Sequence, residues 1–198
     1  MANVVFVGAY AYAREVLERL PVAPMAVVTT GPGAPRWQDT GDLWPDAPRF
    51  DDLEPLRPFR HCLDLVVVAG WRRLVPIIAP TVGFHSARLP EYPGRAPVAN
   101  AILRGDTTLT NTMLWLDDGV DTGDLIDHVT FPIGDDPDAI YRLIAKTSAE
   151  MLREHWRHLL DGTAPRTPQD MSRRGPLTTG DAWARLATRQ PDWIEAFG

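Results

Sequence analysis

The stretch NVVFVGAYAYAREVLERL, residues 3–20, decides the fold. Its apolar run from Val4 to Val7 enters Gly8 without a break, after which Ala13, Val16, Leu17 and Leu20 recur at the spacing of one helix face. The run is too short for a helix and rich in β-branched side chains, so the stretch reads as strand, turn and helix. Two further apolar runs follow, MAVVTT at residues 25–30 and LDLVVVAG at residues 63–70. Strands buried on both faces and separated by a helix predict a parallel sheet, because parallel neighbours need a crossover between them.

The remaining segments extend this order. Residues 31–61 are rich in Pro, Gly, Asp and Trp without a sustained period, which predicts an irregular excursion with short helical pieces. In RRLVPIIAP, residues 72–80, Pro76 and Pro80 permit a short helix at most, and TVGF then returns as a brief strand ending beside His85. Pro97 suits the first turn of a helix through Ala101, Leu103 and Arg104, with Gly105 as its stop. LTNTMLWL (109–116) and LIDHVTF (125–131) read as strands flanking an acidic loop. Asp136 as cap, Pro137 in the first turn, a stripe of Ile140, Leu143, Ile144, Met151, Leu152 and Leu159, and Gly162 as stop define a long helix. The expectation is one α/β domain over residues 1–162, a mainly parallel twisted sheet with helices on both faces. Residues 163–198, with Pro165, Pro168 and Pro176 before a short helix around DAWARLA, read as a C-terminal extension and not as an independent domain.

Composition narrows the function classes. With 198 residues, 44% of them hydrophobic, the chain suffices for one core. A net charge of −6 provides no general positive field for nucleic acid or an anionic membrane, although a local arginine patch can still hold a phosphate. Cys62 is the single cysteine, which excludes an intrachain disulfide and a thiolate metal cluster. The apolar runs are too short to span a bilayer, and the first residues lack a basic leader before a long apolar segment. These features predict a soluble, cytoplasmic protein with no nucleic-acid or membrane partner, and leave a homodimer open.

Three sites carry candidate chemistry. GAYAYA, residues 8–13, lacks the second and third glycines of a dinucleotide fingerprint, yet Gly8 and Tyr10 at the helix start are candidates for one anionic group of a substrate. His85 follows an apolar strand and precedes a loop, a place from which it can enter a crevice; alone it is equally an ordinary core-edge histidine. Asp117, Asp118, Asp121 and Asp124 in a glycine-containing loop are, alone, equally a solvated turn or a weak cation site. Both His85 and Asp121 fall at carboxyl ends of strands, where ligands bind in α/β sheets.

Taken together, H-S-x-x-L-P-x-Y-x-G-x-A-P at residues 85–97, then a helix, a Gly-Asp turn, a strand and D-x-G-V-D-T-G-D at residues 117–124, resemble the folate-dependent formyltransferase family. Its members include the methionyl-tRNA, glycinamide ribonucleotide and sugar-nucleotide amine N-formyltransferases, which use N10-formyltetrahydrofolate. The resemblance runs from the first strand to Gly162 and is most specific between Phe84 and Asp124. It implies a Rossmann-like formyltransferase fold and formyl transfer to an amine without a metal. It assigns His85 to proton relay and oxyanion stabilisation, and Asp121 to orienting and charging that imidazole. It also implies that Trp71, Arg73, Leu74 and Val75, with Asp118, Gly119 and Val120 opposite, hold the pterin. Arg88, Tyr92 and Arg95 become candidates for an anionic acceptor.

One departure stands out. Well-known members read N-x-H, the Asn amide serving the oxyanion, whereas this chain has Gly83-Phe84-His85. Asn111 in the next strand is the candidate replacement; Asn100, backbone N–H groups, water, or loss of transfer are the alternatives. The acidic balance, and a length too short for the extra domain of the tRNA enzyme, favour a small-molecule amine, first a nucleotide-linked amino sugar. The alternatives are a siderophore, antibiotic or glycinamide ribonucleotide amine, a formyltetrahydrofolate hydrolase, and a non-catalytic folate- or nucleotide-binding protein.

Overall fold

A computed structural model describes residues 2–30 and 40–189. Its centre is β1 (Val4–Val7), all four side chains of which are fully buried. Val4 and Phe6 join the apolar cluster on one face of the sheet, and Val5 and Val7 the cluster on the other. That two-sided burial is why the run carries no polar alternation. β2 (Ala26–Val28), β3 (Arg49–Phe50), β4 (Leu65–Val68), β5 (Thr81–His85), β6 (Thr108–Trp115) and β7 (Leu125–Pro132) complete a sheet of order β3-β2-β1-β4-β5-β6-β7. The pairs from β3 through β5 are parallel, and β6 and β7 are added antiparallel. Strand order reverses between β1 and β4, so the chain leaves their carboxyl ends in opposite directions and opens a crevice there.

The helices follow their sequence signals closely. α1 (Ala11–Glu18) packs Ala13, Val16 and Leu17 on the first face. α2 is Pro97–Arg104, closed by Gly105 at φ +78°. α3 (Pro137–Leu160) begins at Asp136, whose side chain accepts a hydrogen bond from the Asp138 N–H at 2.9 Å. It buries Met151, Leu152 and Leu159 beside α1, and Gly162 follows at φ +74°.

Two segments differ from expectation. Residues 72–80 form no helix; Pro76 and Pro80 leave the segment irregular, and Ile78 anchors it under the second face of the sheet. Residues 31–39 of the predicted excursion lie outside the described residues. The rest contributes β3 and a 3-10 helix, Glu54–Cys62. Pro58 inside that helix removes a backbone donor, consistent with the tighter turn, and Leu53, Leu56 and Leu63 seal the sheet.

The segment after α3 lies against the domain. The Trp115 indole donates to the Pro165 carbonyl at 2.9 Å, and Thr167 pairs with Leu125. Thr178 pairs with Gly94, and α4 (Ala182–Arg189) packs Ala182 and Leu186 with Ala99 of α2.

Gly8 is demanded by packing. A Cβ there would sit 2.4 Å from the Ala69 carbonyl oxygen and 2.8 Å from the Ala13 Cβ. At Gly83 a Cβ would meet only the tip of the Leu116 side chain, 2.9 Å away. Backbone cannot yield as a leucine methyl can. Gly8→Ala is therefore expected to lower stability by about 1–3 kcal/mol, and Gly83→Ala by well under half of that loss. Urea unfolding of the two variants checks this, and equal losses would contradict it.

Candidate active site

At the carboxyl ends of β1, β4 and β5 lies a cleft of about 980 Å³. His85 ends β5 with 7% exposure, and Asp121 reaches it from the loop between β6 and β7. The His85 Nδ1 lies 3.6 Å from the Asp121 Oδ1, an ion-pair distance longer than a hydrogen bond. The ring is held at its other nitrogen, since Nε2 lies 2.8 Å from the Tyr92 carbonyl oxygen. A carbonyl oxygen only accepts, so Nε2 carries a proton and Nδ1 is the nitrogen open to exchange beside the carboxylate. Asp121 is itself fixed by the Gly94 N–H, which donates to Oδ2 at 2.8 Å. Its backbone has φ +53°, the left-handed region.

Part of the lining suits a flat heterocycle. Trp71, Arg73, Leu74 and Val75 line the cleft from the segment after β4, and Gly119 and Val120 from the acidic loop. Leu74 is 74% exposed and Val120 39%, so both offer apolar surface that nothing else in the fold covers. Among the described residues, no hydrogen bond ties the main chain of 71–78, leaving its N–H and C=O groups available to a ligand. These residues fit a reduced pterin on chemistry alone: apolar side chains for its faces, and unpaired main-chain donors and acceptors for its polar atoms.

The lining is also aromatic and cationic. Tyr10, Tyr12, Tyr141 and Trp183 contribute to it with Arg72 and Arg95. Arg72 lies over the Tyr10 ring at 4.6 Å, and the Tyr12 and Tyr141 rings are 6.3 Å apart. Burial pushes the Tyr12 hydroxyl up to about 12, against a smaller opposing effect of a backbone hydrogen bond at Gly70. It is a neutral group at any physiological pH. Tyr12, Tyr141 and Trp183 escaped the sequence reading because α1, α3 and α4 bring them together; only their size and aromatic character marked them.

Several expected site residues lie elsewhere. Asn111 faces away: both faces of β6 are buried near its end, but His85 pairs with Thr112, one residue out of phase with Asn111. Its amide donates to the Ser148 Oγ, the Thr147 Oγ1 and the Ile144 carbonyl in α3, so it cannot serve the oxyanion. The Asn100 amide is likewise spent on the Arg95 and Ala96 carbonyls. The space beside Gly83 is filled by Leu116. Gly8 donates its N–H to the Val28 carbonyl and is absent from the lining, so it contributes packing and no anion site.

Tyr92 acts through its carbonyl; its ring is 37% exposed under the Arg104 guanidinium, outside the cleft. Arg88 is exposed beside Glu91, 3.8 Å away, and does not line the cleft. Asp118 is exposed outside the lining too, because Asp117 makes the turn, accepting from the Gly119 N–H and the Thr122 hydroxyl. Among the described residues, no group of three or more His, Cys, Asp and Glu side chains could hold a metal ion, and no helix is long and apolar enough to cross a membrane.

Comparison with known proteins bears on this geometry. A family model described as formyl transferase matches residues 57–155. The methionyl-tRNA formyltransferase of Symbiobacterium thermophilum is 34% identical over 148 residues, covering 68% of this chain and 45% of that protein. That of Latilactobacillus sakei is 29% identical over 166 residues, covering 79% and 49%. The chain spans about half the length of these curated relatives. Among solved structures, a Mycobacterium tuberculosis protein aligns over 94% of this chain and 78% of its own, with TM-score 0.74 and 21% identity. An N-formyltransferase from Helicobacter canadensis, in complex with folinic acid and dTDP-3-aminofucose, aligns over 88% and 70%, with TM-score 0.72 and 17% identity. At such identities the structures establish a shared fold. The family match, in contrast, spans half of the 198 residues and runs through His85, the shaping loop and Asp121, so this chain belongs to the formyl transferase family.

Proposed function

We propose that this chain transfers a formyl group from N10-formyltetrahydrofolate to the primary amine of a small molecule, with a nucleotide-linked amino sugar as the acceptor. The observation that carries the reading is the place of His85 and Asp121: they meet in one cleft, whose lining also holds residues suited to a pterin and aromatic rings and arginines suited to a nucleotide. The Helicobacter canadensis neighbour, described with a folate and a nucleotide sugar bound, supports the pairing of ligands.

The donor supplies an electrophilic carbonyl carbon; the chain supplies orientation and proton handling. As the amine nitrogen bonds to that carbon it must shed a proton. The His85 Nδ1, in the neutral ring, accepts it and returns it to the leaving nitrogen. Asp121, at 3.6 Å, stabilises the imidazolium formed between these transfers, while the Tyr92 carbonyl fixes the ring plane. Among the described residues no side-chain amide replaces the family's Asn, since Gly83 has none and Asn111 and Asn100 are engaged elsewhere. Charge on the carbonyl oxygen then falls to the protonated imidazole and main-chain N–H groups. Loss of one oxyanion donor lowers turnover by about 10²- to 10³-fold in other enzymes, so slow turnover is expected.

Incubation with N10-formyltetrahydrofolate and a panel of amines that includes nucleotide-linked amino sugars tests the proposal. The expected result is a mass gain of one formyl group on an acceptor. Acceptor-independent release of formate would identify a hydrolase instead, and donor binding without transfer to any amine a binding protein. His85→Ala and Asp121→Ala should each lower kcat by about 10²-fold or more with the melting temperature little changed. Near-normal rates in either variant would remove that residue from the mechanism.

A further inference from the structure

The geometry points to Gln169 and Arg174, in the segment between α3 and α4, as positioning residues that hold Asp121 in register with His85. The inference rests on the catalytic reading of that pair.

Asp121 adopts a backbone conformation that residues other than glycine visit rarely, at φ +53°. A β-carbon disfavours it, less for aspartate than for most residues, so bonds from outside the loop add to its hold. Within the loop, Asp117 secures only the first part of the turn, through the Gly119 N–H and the Thr122 hydroxyl. The backbone around Asp121 itself is held from outside. The Gln169 amide donates one N–H to the Asp121 carbonyl at 3.0 Å and the other to the Gly123 carbonyl at 2.8 Å. The Arg174 guanidinium donates to the Val120 carbonyl at 2.7 Å and, more weakly, to the Asp121 carbonyl at 3.4 Å. Two side chains thus occupy three of the four carbonyls from Val120 to Gly123, around the left-handed residue.

The same segment fixes the other partner of the carboxylate. Gly94, whose N–H binds the Asp121 Oδ2, is paired with Thr178. The Thr178 N–H donates to the Pro93 carbonyl, the Arg95 N–H to the Thr178 carbonyl, and the Thr178 hydroxyl to the Arg95 carbonyl. Gly94 has no room for a side chain, because a Cβ would lie 2.6 Å from the Thr178 nitrogen. Arg173 pairs with Glu91 in the loop that also supplies the Tyr92 carbonyl to His85. One stretch of chain therefore clamps both loops between which the His85–Asp121 distance is set. Gln169 and Arg174 touch no reacting atom and are absent from the cleft lining; they act through the carboxylate.

Gln169→Glu tests this with almost no change of shape: a carboxylate cannot donate, and its oxygens repel the two carbonyls. The expected result is a fall in kcat of about 10- to 10²-fold, the scale for misplacing a catalytic group by an ångström, with the KM for the acceptor amine unchanged. Arg174→Met, at a partly exposed position, should act in the same direction and serves if Gln169→Glu unfolds. The readout that separates positioning from general stability is a double-mutant cycle. In an Asp121→Asn background, where the carboxylate is already gone, neither substitution should cost anything further. Additive losses, or a wild-type kcat in both single variants while Asp121→Asn is inactive, would overturn the inference. A fully active Asp121→Asn enzyme would instead overturn the catalytic reading beneath it.

Discussion

The constraint on which the rest depends is the burial of β1 on both faces. Each fully buried valine or phenylalanine contributes about 1.5–3 kcal/mol, and all four residues of β1 are fully buried, as are Leu65, Val66 and Val67 beside them. That burial forces layers onto both sides of the sheet: α1 and α3 on one, and the 3-10 helix with the proline-bearing segment after β4 on the other. It also forces the close crossing at Gly8, where strand, strand and helix leave no room for a side chain. Because β2 and β4 lie on opposite sides of β1, the cleft opens where their connections part.

The candidate pair sits where the parallel and antiparallel parts of the sheet join. β5 delivers His85 at its last residue, and the β6–β7 connection returns Asp121 to it across the cleft. Neither residue is oriented by the other through a hydrogen bond. The imidazole is aimed by a main-chain carbonyl, the carboxylate by a main-chain N–H, and the 3.6 Å between them is a consequence of those two anchors. Such an arrangement leaves Nδ1 free to exchange a proton while the charge on the carboxylate remains close enough to matter. The space beside Gly83 is taken by the Leu116 side chain, which offers no hydrogen-bond donor.

Much of this was legible in advance wherever signal was local. The two prolines that open α2 and α3, the Asp136 cap, and the glycines that end both helices each act within one turn of their own position, and each appears where expected. The His and Asp motifs were readable because loops that must present several groups at once carry distinctive spacing. Asn111 shows the limit. Its residue type suited the missing oxyanion donor, yet strand periodicity allows two phases, and only its pairing with β7 and contact with α3 reveal that it points into the core. Tyr92 shows another: the residue matters, but through an atom that every residue possesses.

By itself the sequence determined the order of the main strands and helices, their caps and stops, and which imidazole and carboxylate to look for in the cleft, because periodicity, capping and motif spacing act over a few residues. Tertiary structure alone decided which face each β6 side chain takes, which aromatics from α1, α3 and α4 share the cleft, and how residues 167–178 brace two loops distant along the chain. Those outcomes depend on contacts between segments tens of residues apart, and no local pattern encodes the register in which such segments meet.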